Sequence, residues 1–227
     1  MRPEGGDVPG DVRRGTAYGA AAYLLWGIFP LYWPLLEPAA PVEILSHRIV
    51  WSLLVVLAIL SVQRQWQWLG VLDRRVLGML SLAAALVAIN WLTYIYGVNS
   101  DQVVETSLGY FITPILSVLL GVLVLRERLR RAQWAAVGLG TFAVLVLTLD
   151  YGRVPWIAFT LAISFSLYGL IKKRVGGRVG AVQSLTVETA LLLLPAMGWL
   201  LWLAARGEGQ FGPGGTGHAC YWSRVAW

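Results

Sequence analysis

The sequence predicts an all-α membrane protein with seven transmembrane helices, and its composition is the first reason. Of the 227 residues, 57% are hydrophobic and only 13% are charged. An ordinary soluble domain is about 45–50% apolar and about 25% charged. The apolar residues also form runs of about 20, the length that an α-helix needs to cross a bilayer. These observations exclude a soluble globular protein, a disordered chain and a membrane β-barrel.

Seven apolar segments are separated by short polar loops. The predicted spans are 15–36, 42–62, 77–98, 103–124, 132–149, 154–172 and 182–204. Residues 1–14 form a polar tail in front of them. The first apolar run, of about 22 residues, is too long for the core of a signal peptide, so we predict an uncleaved first helix.

Basic residues are concentrated on one side of the predicted bundle. Fourteen of the eighteen Lys and Arg residues fall in the N-terminal tail and in the loops near 63–76, 125–131 and 172–178, which lie on one side if the spans alternate. Lys and Arg are enriched in cytoplasmic loops. We therefore expect the N-terminus in the cytoplasm.

Two segments of the first half of the chain recur in the second half. Residues 24–27 correspond to 166–169, and residues 41–46 correspond to 181–186, at offsets of 142 and 140 residues. If the repeated unit has five helices, the odd number places the second copy upside down in the membrane, as in many transporters. The sequence therefore predicts a ten-helix fold of two inverted five-helix repeats.

The predicted repeat is longer than the chain. The first repeat takes 15–149 and the first two helices of the second take 154–204, so the last three helices would fall near 217–291, beyond Trp227. We expect the polar tail 205–227 to lie outside the repeat. On this interpretation the chain is C-terminally incomplete, through truncation or a shifted reading frame.

Spans 2 and 7 carry ionisable side chains, which are costly inside a bilayer. Glu43 and His47 are four residues apart near the outer end of span 2 and share a face, and Arg48 lies deeper. Glu188 is the repeat equivalent of Arg48 in span 7. These groups either line a central cavity or serve as structural ion pairs and interfacial charges, and for Glu43 the structural interpretation is favoured.

Spans 3 and 4 contain further polar candidates. Asn90 and Tyr94 share a face of span 3, where Asn90 either lines a substrate path or bonds a neighbouring helix. In span 4, Pro114 removes a backbone donor, frees a carbonyl near Tyr110 and follows Gly109. A helix break at Gly109 and Pro114 would suit a transporter binding site. A simple kink is the alternative.

The sequence lacks the characteristic residues of several function classes. The HExxH, GxSxG and phosphate-loop motifs are absent, so no enzyme and no cofactor are predicted. One cysteine, Cys220, and two distant histidines, His47 and His218, argue against a metal site. Lys172 and Lys173 lie at the cytoplasmic edge of span 6, where a retinal Schiff base does not fit. Basic clusters between apolar runs do not suit nucleic acid.

The segment from Asn90 through Leu129 resembles the RarD branch of EamA-type drug/metabolite transporters. The residues that carry the resemblance are Asn90-Trp91, Val98-Asn99, Ser107-Leu108-Gly109-Tyr110-Phe111-Ile112, Pro114, Gly121, Arg126-Glu127-Arg128 and Gln133-Trp134. Outside this segment they are Trp26-Gly27, Ser46-His47-Arg48, Trp51-Ser52, Ser164-Phe165, Tyr168-Gly169, Lys172-Lys173 and Glu188. The resemblance covers about 15–204.

The resemblance implies a multi-pass secondary transporter of the bacterial inner membrane with ten helices in two inverted repeats. It implies that small organic metabolites or drugs are moved by alternating access. RarD-like proteins are commonly named as permeases for chloramphenicol sensitivity or resistance. We expect this chain alone to transport poorly, because a rocking mechanism needs both repeats around one site. The alternative is a non-transporting membrane scaffold or pseudo-transporter, and a lipid flippase is a variant of the transporter hypothesis.

We expect a substrate site near the midplane of the membrane. Its predicted lining residues are Trp26, Arg48, Asn90, Tyr94, Tyr110, Tyr168 and Glu188. The aromatic rings would supply stacking surface, Arg48 would hold an anionic group, and Glu188 would carry a coupling proton. The expected partners are the lipid bilayer and a small-molecule substrate, with a homodimer left open and no nucleic acid.

Overall fold

Seven α-helices account for most of the computed structural model, which describes residues 9–32, 36, 39–64, 66, 68, 70, 72–150 and 152–210. The helices are α1 (Pro9–Tyr32), α2 (Pro41–Gln63), α3 (Arg74–Asn99), α4 (Val103–Leu125), α5 (Arg131–Asp150), α6 (Trp156–Val175) and α7 (Ala181–Arg206). Helices α2 to α7 agree with the predicted spans to within three residues at each end. Residues 1–8 and 211–227 of the predicted tails lie outside the described residues.

Helix α1 differs most from its prediction. It begins at Pro9 and ends at Tyr32, whereas the predicted span runs from 15 to 36. Proline is well suited to the first turn of a helix, because that turn does not use its backbone N–H groups within the helix. Part of the predicted polar tail is therefore helical.

Five of the described helices are long and apolar enough to cross a membrane, namely α2, α3, α4, α5 and α7. The sequence predicts seven spans, and among the described residues α1 and α6 do not meet the same measure. Helix α6 contains Ser164 and Ser166 and ends in three basic residues, which lower its hydropathy. The chain is a multi-pass membrane protein.

Ion pairs show that three loops meet at one end of the bundle. Arg178, in the α6–α7 loop, lies 3.6 Å from Asp73, the N-cap residue of α3. Lys173, in the last turn of α6, forms an ion pair with Glu127, which follows α4. We call this the basic end, because it carries the loops in which the sequence places most of its Lys and Arg residues. The other end of the bundle is called the opposite end.

Three apolar clusters hold the helices together. The cluster nearest the opposite end contains Leu36, Ala39, Ile44, Tyr94, Ile95, Val98, Ile157 and Leu161. The cluster at the basic end contains Val76, Leu80, Ala83, Ile171, Val175, Val179 and Val187. A third joins α4 to α6 and contains Leu108, Ile112, Ala158 and Ala162. Because α6 contributes to all three, it is the central helix, and its Ser164 and Ser166 are buried against protein.

Helix α4 runs without interruption through Gly109 and Pro114. This corrects the expected helix break. Proline costs a helix one internal hydrogen bond, and neighbouring hydroxyl groups and helices can compensate inside a membrane bundle. The Thr113 hydroxyl donates to the carbonyl of Gly109 at 2.8 Å. The binding site cannot therefore be assigned to an unwound segment of α4.

Gly109 has a packing role instead. A Cβ added at this position would lie 3.0 Å from the carbonyl oxygen of Ala158 and 3.0 Å from the Cβ of Leu161. Small residues at such points let membrane helices approach closely. Gly109 thus allows α4 to pack tightly on α6, which positions Tyr110 beside the centre of the bundle.

Candidate functional site

Arg48 lies within an aromatic environment between α2 and α3. Its guanidinium carbon is 3.0 Å from the centre of the Trp91 ring. Attraction between a cation and a Trp face is worth about 2 kcal/mol or more when the pair is desolvated. Tyr32, Tyr94 and Tyr110 are close enough to interact with the same charge. The sequence therefore places a partly buried cation among rings that can also accept an organic molecule.

Six aromatic rings from four helices form a continuous series around Arg48. Adjacent ring centres are 6.0 to 6.5 Å apart, within the range in which aromatic pairs attract. The order along this aromatic series is Tyr110, Tyr94, Trp91, Trp26, Phe165 and Tyr168. Four of the predicted lining residues therefore belong to one connected surface, and Trp91 and Phe165 join them.

The aromatic series differs in accessibility along its length. Trp26 and Tyr110 are each 37% exposed, whereas Tyr94 is only 4% exposed. An organic molecule that approaches Arg48 would therefore meet Trp26 and Tyr110 first.

Glu188 is buried between α6 and α7, and both of its carboxylate oxygens accept hydrogen bonds. Oε1 accepts from Lys172 Nζ at 2.8 Å and from Ser184 Oγ at 2.7 Å. Oε2 accepts from the Tyr168 hydroxyl at 3.2 Å, and Lys172 also donates to Ser184. We call these four residues the Glu188 cluster. Since Tyr168 is the last ring of the aromatic series, the Glu188 cluster and the Arg48 environment are in contact through aromatic side chains.

Asn90 is placed apart from the aromatic series. Its amide nitrogen donates to the carbonyl of Leu161 at 3.0 Å and to Ser164 Oγ at 3.1 Å, both on α6. The side chain is buried. The structure therefore gives the Asn90 amide the helix-bonding position that the sequence offered as the alternative to a substrate path.

Replacing Asn90 with alanine is expected to lower stability without changing ligand affinity. Hydrogen bonds between membrane helices average about 0.6 kcal/mol, so the expected loss is of that order. Thermal unfolding in detergent would measure it. Ser81→Ala is a matched control on α3, because the Ser81 hydroxyl bonds only the carbonyl of Leu77 in its own helix in the described contacts. A loss of ligand affinity with unchanged stability would instead place Asn90 in the substrate site.

Glu43 and His47 lie at the opposite end of the bundle. Glu43 is buried, and its Oε1 accepts a hydrogen bond from the backbone N–H of Gln210 at 2.8 Å. The segment that follows α7 therefore folds back against the first turn of α2. His47 is partly buried one turn further along α2. This contact gives Glu43 a structural function, the interpretation that its position in the sequence favours.

Glu105 is a buried acid that the sequence did not single out as a site residue. Its Oε1 accepts from the backbone N–H of Ile157 at 2.8 Å, in the first turn of α6. Its Oε2 accepts from Arg153 at 3.3 Å, and Arg153 also donates to Gln102 at 2.9 Å. A carboxylate at a helix N-terminus satisfies a free N–H group and the helix dipole. The sequence signals that could have predicted this contact are an acid in the first turn of span 4, Glu105, and an arginine just before span 6, Arg153.

Two clefts open on the outer surface of the bundle, away from Arg48. One of 530 Å³ lies beside α4 and α5, and its lining residues are Val103, Val104, Glu105, Ser107, Leu108, Phe111 and Leu147. The other, of 430 Å³, lies along α3 and α6. Their linings are mostly apolar and face the region that lipid would occupy. The convergence of charged and aromatic groups therefore favours the Arg48 environment as the functional site.

The EamA-like transporter family matches residues 13–149 of the chain, which is more than half of its length. The chain belongs to this family. Within it the chain is RarD-like, since it is 55% identical over 209 residues to "Protein RarD" of Streptomyces exfoliatus. That match covers 91% of this chain and 66% of the relative.

Two further relatives of this EamA-family chain bear informative names. It is 43% identical to "Uncharacterized transporter YojE" of Bacillus subtilis, over 84% of this chain and 65% of that protein. It is 30% identical to "Chloramphenicol-sensitive protein RarD" of Pseudomonas aeruginosa, over 84% of this chain and 65% of that protein. The chain thus spans about two thirds of the length of these relatives. No solved structure matches it.

Proposed function

We propose that this chain forms the substrate-binding part of a permease for small organic molecules, and that its preferred substrates carry an aromatic ring and a negative charge. The observation that carries the proposal is the Arg48 guanidinium, 3.0 Å above Trp91 and continuous with the aromatic series. Membership of the EamA-like transporter family supports the transport function. A relative named a transporter supports it as well.

Arg48 and its neighbours supply the two kinds of contact that such a substrate needs. A guanidinium is planar and binds a carboxylate through two parallel hydrogen bonds. The rings of Trp26 and Tyr110 are the accessible ones, and they would stack on the aromatic part of the molecule. Electrostatic attraction is stronger in a site that excludes water. The combination selects an aromatic anion over a neutral or cationic analogue.

An inverted repeat and alternating access form the mechanistic part of the proposal. Arg48 and Glu188 each lie seven residues after the first residue of their helix, Pro41 in α2 and Ala181 in α7. At 1.5 Å per residue both are about 10 Å deep. Since α2 starts at the opposite end and α7 starts at the basic end, the two residues enter from opposite sides, as an inverted repeat requires.

The proposed orientation follows from the charge of the two ends. The basic end would face the cytoplasm, because Lys and Arg are retained on that side. The bacterial relatives make the inner membrane the proposed location. The N-terminus would then be cytoplasmic.

Thermal unfolding with matched probes tests the proposed substrate class. The purified full chain would be heated with 3-phenylpropionate, 3-phenylpropanol, 3-phenylpropylamine or chloramphenicol. At 100 times its Kd a ligand stabilises the folded state by about 2.7 kcal/mol, which raises Tm by roughly 5–10 °C for a chain of this size. We expect that shift with the anion and little shift with the alcohol or the amine.

Each other outcome changes the proposal in a defined way. Equal shifts with all three phenylpropyl probes would remove the anion preference. A shift with chloramphenicol alone would make the substrate a neutral aromatic molecule. No shift with any probe would favour the non-transporting scaffold.

A further inference from the structure

Two buried acids contact α6, one near each end of the helix. Glu105 approaches the start of α6 and Glu188 approaches its last turn, and each is only 1% exposed. They differ in what holds them. Glu105 accepts from a backbone N–H and from Arg153. Glu188 accepts only from side chains in the described contacts.

The hydrogen-bond donors to Glu105 have less conformational freedom than the donors to Glu188. A backbone N–H inside a helix cannot rotate away, and an arginine stays charged at every relevant pH. Glu105 is therefore a fixed cap. The donors to Glu188 are a lysine, a serine and a tyrosine, which can all change rotamer. The Lys172 side chain is 24% exposed, in the last turn of α6 beside the exposed Lys173. Lys172 therefore has a short path to solvent at the basic end.

Stability alone is a poor explanation for the Lys172–Glu188 ion pair. Removing two charges from water costs free energy that their attraction often does not recover, so an apolar pair can serve a fold equally well. Ionisable residues that face the interior of a membrane bundle commonly mark ion or proton pathways. The same buried pair joins α6, the central helix, to α7. Its position suits a contact that is made and broken during a transport cycle.

We propose that Glu188 is a proton-binding site that locks α6 to α7. With Glu188 ionised, its carboxylate holds Lys172 and Ser184. A proton from solvent at the basic end binds a carboxylate oxygen and makes the side chain neutral. Lys172 keeps its own proton and charge and turns toward the basic end, so the ion pair is lost. Loss of the proton from Glu188 restores the ion pair and the lock.

The groups around Glu188 identify Lys172 as its ionic partner. Helices α2 and α3 pack on α7, and α6 reaches it through side chains. Their ionisable residues are Tyr168, Lys172, Lys173 and Arg174 on α6, Arg74, Arg75, Tyr94 and Tyr96 on α3, and Glu43, His47 and Arg48 on α2. Lys173 pairs with Glu127, and Arg48 lies over Trp91. In the described contacts only Tyr168 and Lys172 of this set reach Glu188.

The lock is connected to the proposed substrate site. Tyr168 donates to Glu188, its ring lies 6.0 Å from that of Phe165, and Phe165 lies 6.4 Å from Trp26. A change in the lock therefore reaches the rings beside Arg48 through packed side chains. This coupling of proton binding to substrate binding rests on the proposed function. The lock itself does not require it.

Cysteine labelling without substrate tests the lock. Val187→Cys, in a Cys220→Ser background, places one thiol in the buried basic-end cluster, next to Glu188 in sequence. Its rate of reaction with N-ethylmaleimide would be divided by the rate at an exposed reference, Arg174→Cys, at pH values where both thiols are mostly protonated, because both rates then change with pH in the same proportion. We expect the corrected rate to rise about tenfold from mildly alkaline to mildly acidic buffer, a population shift of about 1.4 kcal/mol.

Four variants make the test specific. Glu188→Gln and Lys172→Gln should both label fast at either pH and lose the pH dependence. Glu105→Gln removes an equally buried acid and should keep the pH dependence. Lys173→Gln removes a neighbouring lysine whose partner, Glu127, is exposed, and should also keep it.

Two results would overturn the lock: a corrected rate that does not change with pH, or a pH dependence that persists in Lys172→Gln. If Glu188→Gln does not fold, the pH dependence of labelling can still be compared between the protein with native Lys172 and Glu188 and the Lys172→Gln variant. Because no substrate is present, a failed lock leaves the thermal-shift result with 3-phenylpropionate intact, and the reverse also holds.

Discussion

Arg48→Ala is expected to weaken the binding of 3-phenylpropionate roughly 10- to 150-fold, because a hydrogen-bonded contact to a charged group is worth about 1.5–3 kcal/mol. The affinity for 3-phenylpropanol should change little, since the alcohol does not depend on the cation. Thermal-shift titration of both probes gives the two affinities. Arg48→Lys keeps the charge but loses the planar fork, so an intermediate affinity for the anion is expected.

A surface arginine provides the control for Arg48. Arg74 is exposed in the first turn of α3, and Arg74→Ala changes the net charge by the same amount. It should leave the affinity for both probes unchanged. If Arg48→Ala bound 3-phenylpropionate as tightly as the native chain, the anion-binding assignment would be wrong.

Gly109→Ala is expected to destabilise the bundle by about 1–3 kcal/mol, because the new methyl group enters a contact that is already closed. The Cβ would lie 3.0 Å from a backbone oxygen of α6, which cannot move aside as a flexible side chain does. Thermal unfolding should show a Tm lower by roughly 3–10 °C.

A second glycine shows whether close packing is the cause. Gly138 lies in α5, where an added Cβ would meet nothing within 4 Å. Gly138→Ala should not lower stability, because alanine favours a helix interior over glycine by about 0.8–1.0 kcal/mol. Helix propensity alone would raise stability at both positions, so equal losses at both would mean that the α4–α6 contact does not explain the effect at Gly109.

The helices could be predicted well because hydrophobic run length reports directly on span length. The exceptions have physical causes. Helix α6 is central, so Ser164 and Ser166 can bond to α3 and α4, and among the described residues α6 is not one of the helices apolar enough to cross a membrane. Helix α1 starts within a segment that composition marks as a tail, because its first turn is polar. We expected a break at Pro114 because we assumed that the loss of one hydrogen bond would unwind α4. Helix α4 is continuous, and its tight packing on α6 helps to hold it in place.

The site could be predicted only in part. Residue type and depth made Arg48, Tyr94 and Glu188 candidates, but periodicity shows which residues share a face and not which helix lies opposite. That is why the Asn90 amide, suited to either environment, could not be placed from the sequence.

The sequence position of Lys172 could have predicted its contact with Glu188, but we did not use it. Lys172 stands beside two other basic residues, so it was grouped with the loop charges. Lys172 and Ser184 are equidistant in sequence from Arg178, and the short loop between α6 and α7 lets their side chains meet. Pairing residues across the α6–α7 loop would have found the Glu188 cluster.

Photocrosslinking tests most directly whether an aromatic anion binds beside Arg48. The probe 4-benzoylbenzoate carries a carboxylate and a photoreactive ketone, and labelled peptides are mapped by mass spectrometry. We expect crosslinks around Trp26, Trp91 and Tyr110 that 3-phenylpropionate prevents and 3-phenylpropanol does not. Crosslinks confined to the cleft between α4 and α5, or insensitive to 3-phenylpropionate, would contradict the assignment of this site.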